Sequence, residues 1–323
     1  MGIAAPFETI PEMLLHVTSL YRTDARPAMM AREGGALRSV SYARLRETVE
    51  AYAAGFASLG LGRGDRFAIL SENRPEWAFA DLGGTSLGGV CVPLYPSLTA
   101  DQIGPIVRDA GVSLAVASSR THLEKLLHVA SGGGRIRRVV LLQEGVSGGE
   151  GFTGREAFLE GARGFLAGGA FRLAEAAAHV RPDDLLTLIY TSGTTGTPKG
   201  VMLTHRNLAS NIRSAASVLD IRPGDRFLSW LPLSHSFERM AGYYTALACG
   251  ATIAYAGGIE TLREDMTAVR PNIMTAVPRL FERMQARILR TVEEGSPLRR
   301  AVFHWAIRAG LEYHAARRAG SPT

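Results

Sequence analysis

LLTLIYTSGTTGTPKG, residues 185–200, is the least ordinary stretch of the chain. Five of its first six positions are apolar and the sixth, Thr187, is β-branched, which predicts a buried strand over 185–190. That strand empties without a break into threonines, a serine, three glycines and a lysine. Outward from it, strands and helices alternate. Toward the N-terminus the pattern predicts strands at 66–70, 90–95, 113–117 and 136–142, with helices near 75–87, 100–110 and 121–130 between them. A further helix opens at Tyr42, where Tyr42, Leu45, Val49, Tyr52, Phe56 and Leu59 recur by threes and fours and Gly60 is placed to end it. Toward the C-terminus the order is helix 205–219, strand 226–231, helix 237–249, strand 251–255, helix 262–269 and strand 273–276. Residues 278–319 then read as almost wholly helical, broken near Gly295-Ser296-Pro297.

This alternation predicts an α/β protein with mostly parallel sheets covered by helices on both faces. It divides into two subregions, 1–180 and 181–323, the second carrying the Gly-rich loop. The Gly- and Ala-rich segment 144–180, with GVSGGEGFTG at 145–154, reads as a surface excursion. Thr9-Ile10-Pro11-Glu12, Thr99-Ala100-Asp101-Gln102 and Thr261-Leu262-Arg263-Glu264 each fit a helix-opening capping box.

With 323 residues, 46% apolar and 20% charged, the composition is that of a globular protein and excludes disordered and collagen-like classes. The two cysteines, Cys91 and Cys249, lie far apart in apolar surroundings, so a disulfide framework is excluded and both read as small buried hydrophobes. A reducing, cytoplasmic setting is the default expectation. The net charge of +6 suits anionic ligands, but the basic residues form no dense run, so nucleic acid is not expected as a partner. The opening MGIAAPFETIPEMLL lacks the basic and continuous apolar regions of a signal peptide. The uncharged stretch 241–259 is better read as a helix ending at Gly250 followed by a strand than as a membrane span. Peripheral attachment at the inner face of the membrane stays open, as does the oligomeric state.

Thirty-four of the 36 basic residues are arginine; the two lysines are Lys125 and Lys199. Ammonium and guanidinium groups are not interchangeable, so a retained lysine inside the Gly-rich loop invites a chemical reason. Lys125, in an ordinary helical segment, invites none. Around Lys199 the loop has what a polyphosphate requires: glycines that let backbone amides approach, hydroxyls that donate, and a mobile point charge. It is not the Walker loop of P-loop NTPases, because Pro198 precedes the lysine and Gly200 follows it where Ser or Thr would hold Mg²⁺.

YTSGTTGTPKGVMLTHRN, residues 190–207, resembles the signature loop of the AMP-forming acyl-CoA synthetases, in the adenylate-forming superfamily shared with luciferases and peptide-synthetase adenylation domains. GDRFAILSENRPEWAFADLGG (64–84) and VCVPLYPSLTADQI (90–103) resemble the N-terminal region of the long-chain fatty acyl members. LPLSHSFERM (231–240) resembles their second core motif, and TAVPRLFERM (275–284) the helix entry that follows.

The resemblance implies the large N-terminal domain of that fold, and activation of a long-chain fatty acid with ATP, Mg²⁺ and coenzyme A. It gives Thr191, Ser192, Gly193, Thr194, Thr195, Gly196 and Lys199 the role of holding ATP phosphates. It sets His235 beside the carboxylate and α-phosphate, whereas the residues alone fit a histidine packed at a strand end equally well. Glu238 and Arg239 rank below it as substrate-binding candidates and read as readily as an ion pair at a helix start. Tyr243, Tyr244 and Tyr255 read as acyl-tunnel lining or as plain core.

The family's later motifs are a Tyr-Gly-x-Thr-Glu stretch serving Mg²⁺, a ribose-binding aspartate, a hinge and a small domain with a catalytic lysine. None is found after Ala276, and the metal ligand is expected beyond Thr323. The expectation is therefore an incomplete AMP-binding domain, without the small C-terminal domain, that does not form the thioester alone. A non-catalytic nucleotide- or acyl-binding module, or half of a split ligase, is the alternative from another class; a second chain supplying the missing lysine would distinguish it. An aryl, short-chain or amino-acid substrate is a further alternative, opposed by the SHSFER motif and the long-chain-like first third.

Overall fold

The computed structural model describes residues 7–169, 171–191 and 198–319. The chain opens with α1 (Ile10–Leu20) and a hairpin of β1 (Pro27–Glu33) and β2 (Ala36–Ser41), which no periodicity in the sequence marks. The expected alternation follows: α2 (Tyr42–Ser58), β3 (Arg66–Leu70), α3 (Pro75–Ser86), β4 (Val90–Leu94), α4 (Ala100–Ala110), β5 (Val112–Ala117), α5 (Arg120–Ser131) and β6 (Arg138–Leu141). Next come β7 (Gly148–Gly149), β8 (Phe152–Gly154), α6 (Arg155–Ala167), α7 (Leu173–Ala178), β9 (Leu185–Thr191), β10 (Lys199–Thr204), α8 (His205–Val218) and β11 (Arg226–Ser229). A π-helical segment Glu238–Tyr244 runs into α9 (Thr245–Ala248), followed by β12 (Thr252–Tyr255), α10 (Leu262–Val269), α11 (Pro278–Glu293) and α12 (Pro297–Arg318).

Two sheets result, in the orders β10-β9-β4-β3-β5-β6-β8-β7 and β11-β12-β1-β2. All pairings are parallel except β10 with β9, β7 with β8, and β1 with β2. Each sheet draws strands from both sides of position 180, so the expected division into 1–180 and 181–323 is corrected. Sheet pairing joins residues distant in sequence, such as Met29 with Ile253 and Cys91 with Thr187, which local patterns cannot reveal. The compact units instead divide between Thr275 and Ala276, and the second contains α11 and α12.

The strand RFAIL shows why helices cover both faces of the larger sheet. Alternate residues point to opposite sides of a strand, so Ala68 and Leu70 join a core with Ile103, Val107, Leu123 and Leu126 of α4 and α5. Phe67 and Ile69 face the other core, with α1, α2, α3 and the inner side of the smaller sheet. The 144–180 excursion is also corrected: its helix α6 sends Phe158 between Tyr52 and Phe56, with ring centroids 5.4 and 5.2 Å apart. Burying such a ring contributes roughly 1.5–3 kcal/mol, which anchors the segment despite its glycines.

The Thr99–Gln102 capping box is complete. At Thr9 only half of it forms, because the Glu12 carboxylate accepts from the Glu8 amide instead. Thr261 caps nothing; its hydroxyl donates to Asp265 within the first turn. The expected strand 273–276 reduces to one bridge between Ile273 and Phe227. Gly250, at φ +72, ends the helix read there and β12 follows. Among the described residues, no helix is long and apolar enough to cross a membrane.

Candidate functional site

β9 enters the Gly-rich loop at Thr191 and β10 leaves it at Lys199, and the two are direct register partners in the antiparallel ladder. Both are exposed. Ser192, Gly193, Thr194, Thr195 and Gly196 lie outside the described residues. The element after the loop is a strand, so α8 begins only at His205 and its N-terminal dipole is removed from the loop by the length of β10. One step inside the mouth, Gly200 faces Tyr190, and a Cβ there would stand 2.9 Å from the ring. The glycine lets the Tyr190 ring lie across β10, where its hydroxyl donates to Asp109 at 2.5 Å. Thr191 also marks the carboxyl end of a strand parallel to β4 and β3, the edge at which open α/β sheets bind ligands.

The second motif meets the larger sheet at that edge. Asn73, just past β3, donates from Nδ2 to the Ser229 hydroxyl and the Leu231 carbonyl, at 3.1 and 2.6 Å. Its Oδ1 accepts from the Leu233 amide at 2.9 Å. One side chain thus ties the end of β3 to the segment leading into His235. The Trp230 indole donates to the Thr275 carbonyl at 2.7 Å and holds the same segment from the other side. His235 is exposed, and its Nδ1 accepts from the Phe237 amide at 3.2 Å. An accepting Nδ1 leaves Nε2 to carry the proton of the neutral ring.

Glu238 and Arg239 do not pair with each other, which corrects the ion-pair reading. Arg239 is 1% exposed and forms its ion pair with Asp81, which is wholly buried in α3. It also donates to the Thr187 hydroxyl at 2.6 Å and lies over the rings of Trp77 and Tyr244. A guanidinium so occupied is a core tie between α3, β9 and the π-helical segment, and the reading of Arg239 as a substrate contact is corrected accordingly. The π-helical turn permits this, since its five-residue repeat sets Tyr244 over Arg239. Glu238 is also buried, and its Oε2 accepts from the Thr275 hydroxyl while Oε1 has no partner among the described residues. Burial raises its carboxyl from 4.5 to about 7, against the opposing hydrogen bonds of Thr275 and Ser229. Gly242 makes room for that carboxylate, because a Cβ would lie 2.5 Å from Oε1.

Of the remaining candidates, Tyr243 and Tyr244 are wholly buried and stacked at 4.6 Å, with Tyr244 donating to Asp81 at 2.6 Å. Tyr255 is buried against Met29. These three belong to the core. Both thiols are buried, which pushes Cys249 up to about 11 and Cys91 well above its ordinary value. Lys125 does serve the fold, because its ammonium donates to the carbonyls of Pro96 and Leu98, at 3.1 and 2.8 Å, and closes the loop after β4. A surface cavity of about 370 Å³ between Arg63, Gly88, Asp184 and Met202 is lined by none of Thr191, Lys199, His235, Glu238 and Arg239. Sequence reasoning missed Asn73, Asp81 and Thr187. Asp81 had left a signal, a lone acid inside the apolar run WAFADLGG.

The model of a family described as AMP-binding enzyme matches residues 18–316. The chain is 32% identical over 256 residues to fatty acyl-CoA synthetase A of Dictyostelium discoideum, covering 78% of this chain and 38% of that protein. It is 32% identical over 259 residues to the peroxisomal long chain acyl-CoA synthetase 6 of Arabidopsis thaliana, covering 80% and 37%. The chain thus spans under half the length of these curated relatives. The inhibitor-bound N-terminal domain of FACL13 from Mycobacterium tuberculosis superimposes with a TM-score of 0.71 at 25% identity, over 86% of this chain and 65% of that one.

Proposed function

The chain belongs to the AMP-binding enzyme family, and from that premise we propose that it carries the nucleotide-handling portion of an AMP-forming long-chain fatty acid–CoA ligase. The hairpin carries the reading: Thr191 and Lys199 stand opposed and exposed at the carboxyl edge of a parallel sheet, in a chain whose relatives include long-chain acyl-CoA synthetases.

In the proposed reaction a fatty acid carboxylate oxygen attacks the α-phosphorus of ATP. The bond to the bridging oxygen breaks, and pyrophosphate leaves with its electron pair. The acyl-AMP so formed is a mixed anhydride, and the sulfur of coenzyme A displaces AMP from its carbonyl carbon while the thiol proton is lost. The first step needs mainly positioning and neutralisation of phosphate charge. Thr191, Ser192, Gly193, Thr194, Thr195, Gly196 and Lys199 are assigned the β- and γ-phosphates. His235 is assigned the region of the carboxylate and α-phosphate, with Nε2 the ring nitrogen not engaged by the Phe237 amide. Glu238, three residues on, is buried, and burial raises its carboxyl to about 7. Among the described residues, no group of three or more His, Cys, Asp or Glu is arranged to hold a metal ion. Mg²⁺ is proposed to enter with ATP, where it would neutralise phosphate charge.

The proposal is tested by titrating the purified chain with ATP, then assaying pyrophosphate release with fatty, aryl and amino acids. Saturable ATP binding with release dependent on long-chain fatty acid is expected, without thioester from the 323 residues alone. No nucleotide binding by folded protein would overturn the reading, and release dependent on aryl or amino acids would overturn the substrate. ATP binding without release under any acid would favour a nucleotide-binding module that works with a second polypeptide.

A further inference from the structure

The side-chain amide of Asn73 pairs with the segment before His235 as a strand residue would. Its Nδ2 donates to the Leu231 carbonyl at 2.6 Å, and its Oδ1 accepts from the Leu233 amide at 2.9 Å. In a parallel ladder one residue engages the C=O and N–H groups on either side of its partner in the same way. The partner here is Pro232, which has no N–H of its own to place. Pro232 also opens the turn that carries His235, whose amide donates back to the Pro232 carbonyl at 2.9 Å.

The tie spans the two sheets. Asn73 follows the end of β3 in the eight-stranded sheet, and Ser229, its third partner, ends β11 in the four-stranded one. In turn β3 pairs with β4, and β4 with β9, which delivers Thr191 at the same edge. Neighbouring strands lie about 4.8 Å apart, so the ends of β3 and β9 are on the order of 10 Å apart. On the other side of His235, Arg239 reaches Thr187 of β9. Arg239 is a charge in the core, whereas Asn73 is half-buried and neutral, so Asn73 can be altered without stranding a buried ion.

We propose that Asn73 is a positioning residue acting through His235: it fixes the separation between that histidine and the loop that begins at Thr191. This rests on the ligase reading above, in which the acid carboxylate meets the α-phosphate between those two places. Misplacing reacting groups by about 1 Å costs on the order of 100-fold in rate. Only an amide satisfies both sides of Pro232. Aspartate has the same shape but, when ionised, offers acceptors alone and sets an oxygen against the Leu231 carbonyl. Serine has one short hydroxyl and does not span the two backbone groups.

The test compares Asn73→Asp and Asn73→Ser with the wild type in the full chain, with folding followed by circular dichroism. ATP affinity is expected to stay within about twofold, because the hairpin shares no partner with Asn73. Pyrophosphate release dependent on long-chain acid should lose roughly 100-fold in kcat, with KM for ATP unchanged. A second readout needs no activity. With 13C-labelled histidine, the His235 ring signal, identified by its loss in His235→Gln, should shift or broaden in both variants. The Leu233 amide should also exchange faster with solvent. A wild type that releases no pyrophosphate would count against the ligase reading, and the ring signal and amide exchange would still decide what Asn73 holds. An unmoved His235 signal with unchanged Leu233 exchange would overturn the role of Asn73. So would equal losses of ATP affinity and turnover, or failure of both variants to fold, either of which would make Asn73 a residue of the fold alone.

Discussion

Thr191 and Lys199 face each other across the last rung of the β9–β10 ladder, so the loop between them starts and ends at one point on the sheet edge. Lys199 is exposed at that rung, so its ammonium is accessible beside the two ends of the loop. Lys199→Ala is therefore expected to leave the melting temperature unchanged and to weaken ATP binding by at least roughly tenfold, the loss of a charged hydrogen-bond donor. Titration calorimetry beside a thermal melt separates the two, and unaltered ATP affinity would remove Lys199 from the site.

The buried pair Asp81–Arg239 makes the opposite prediction. Both side chains are out of water, so removing either leaves an uncompensated charge in the core. Asp81→Asn or Arg239→Met should each cost on the order of 3–5 kcal/mol, and the double replacement less than the sum of the two. Urea unfolding of the three variants measures this. Additive losses would mean that the two charges do not depend on each other.

The contrast between these two sites also marks how far the sequence could be read. Helix and strand spacing, and the strand that delivers Thr191, lie in local patterns, and α4 and α10 start and stop where the periodicity says. The hairpin β1–β2 was hidden because PAMMARE and ALRSVS alternate weakly and are only partly buried. The division of the chain was misread because β1 pairs with β12, some 220 residues away. Arg239 sits in a motif whose neighbour His235 is exposed, but a π-helical turn and a distant aspartate turn it inward. Neither has a signature in nearby residues.

Glu238 gives a pH dependence with a definite sign. Its carboxyl is raised from 4.5 to about 7 by burial, so the folded state holds a proton that the unfolded chain has released. Its contribution to stability is fully present below pH 4.5 and is lost as pH rises through about 7. Glu238→Gln should stabilise the protein by about 3 kcal/mol at about pH 8 and change little near pH 4. Melting temperatures across pH test this, and equal gains at both ends would refute the assigned shift.

His205 acts in the opposite sense over much of the same range. It opens α8, is wholly buried, and accepts the Ile10 amide at Nδ1 at 3.3 Å, while Nε2 has no partner among the described residues. Burial lowers it from 6.5 to about 4, with Asp184 opposing and Arg239 assisting. The unfolded chain takes up a proton below pH 6.5 that the folded state refuses, so stability is lost as pH falls from 6.5 toward 4. The loss amounts to about 3 kcal/mol at its limit. In the native protein this decline is offset in part by Glu238, whose contribution grows over the same interval. Glu238→Gln should therefore steepen the acid limb of the stability profile. His205→Gln should flatten it and leave the loss toward neutral pH exposed. Denaturation curves for both variants and the double variant resolve the two contributions. An acid limb unchanged in His205→Gln would show that His205 is protonated in the folded protein and that the Ile10 amide is held some other way.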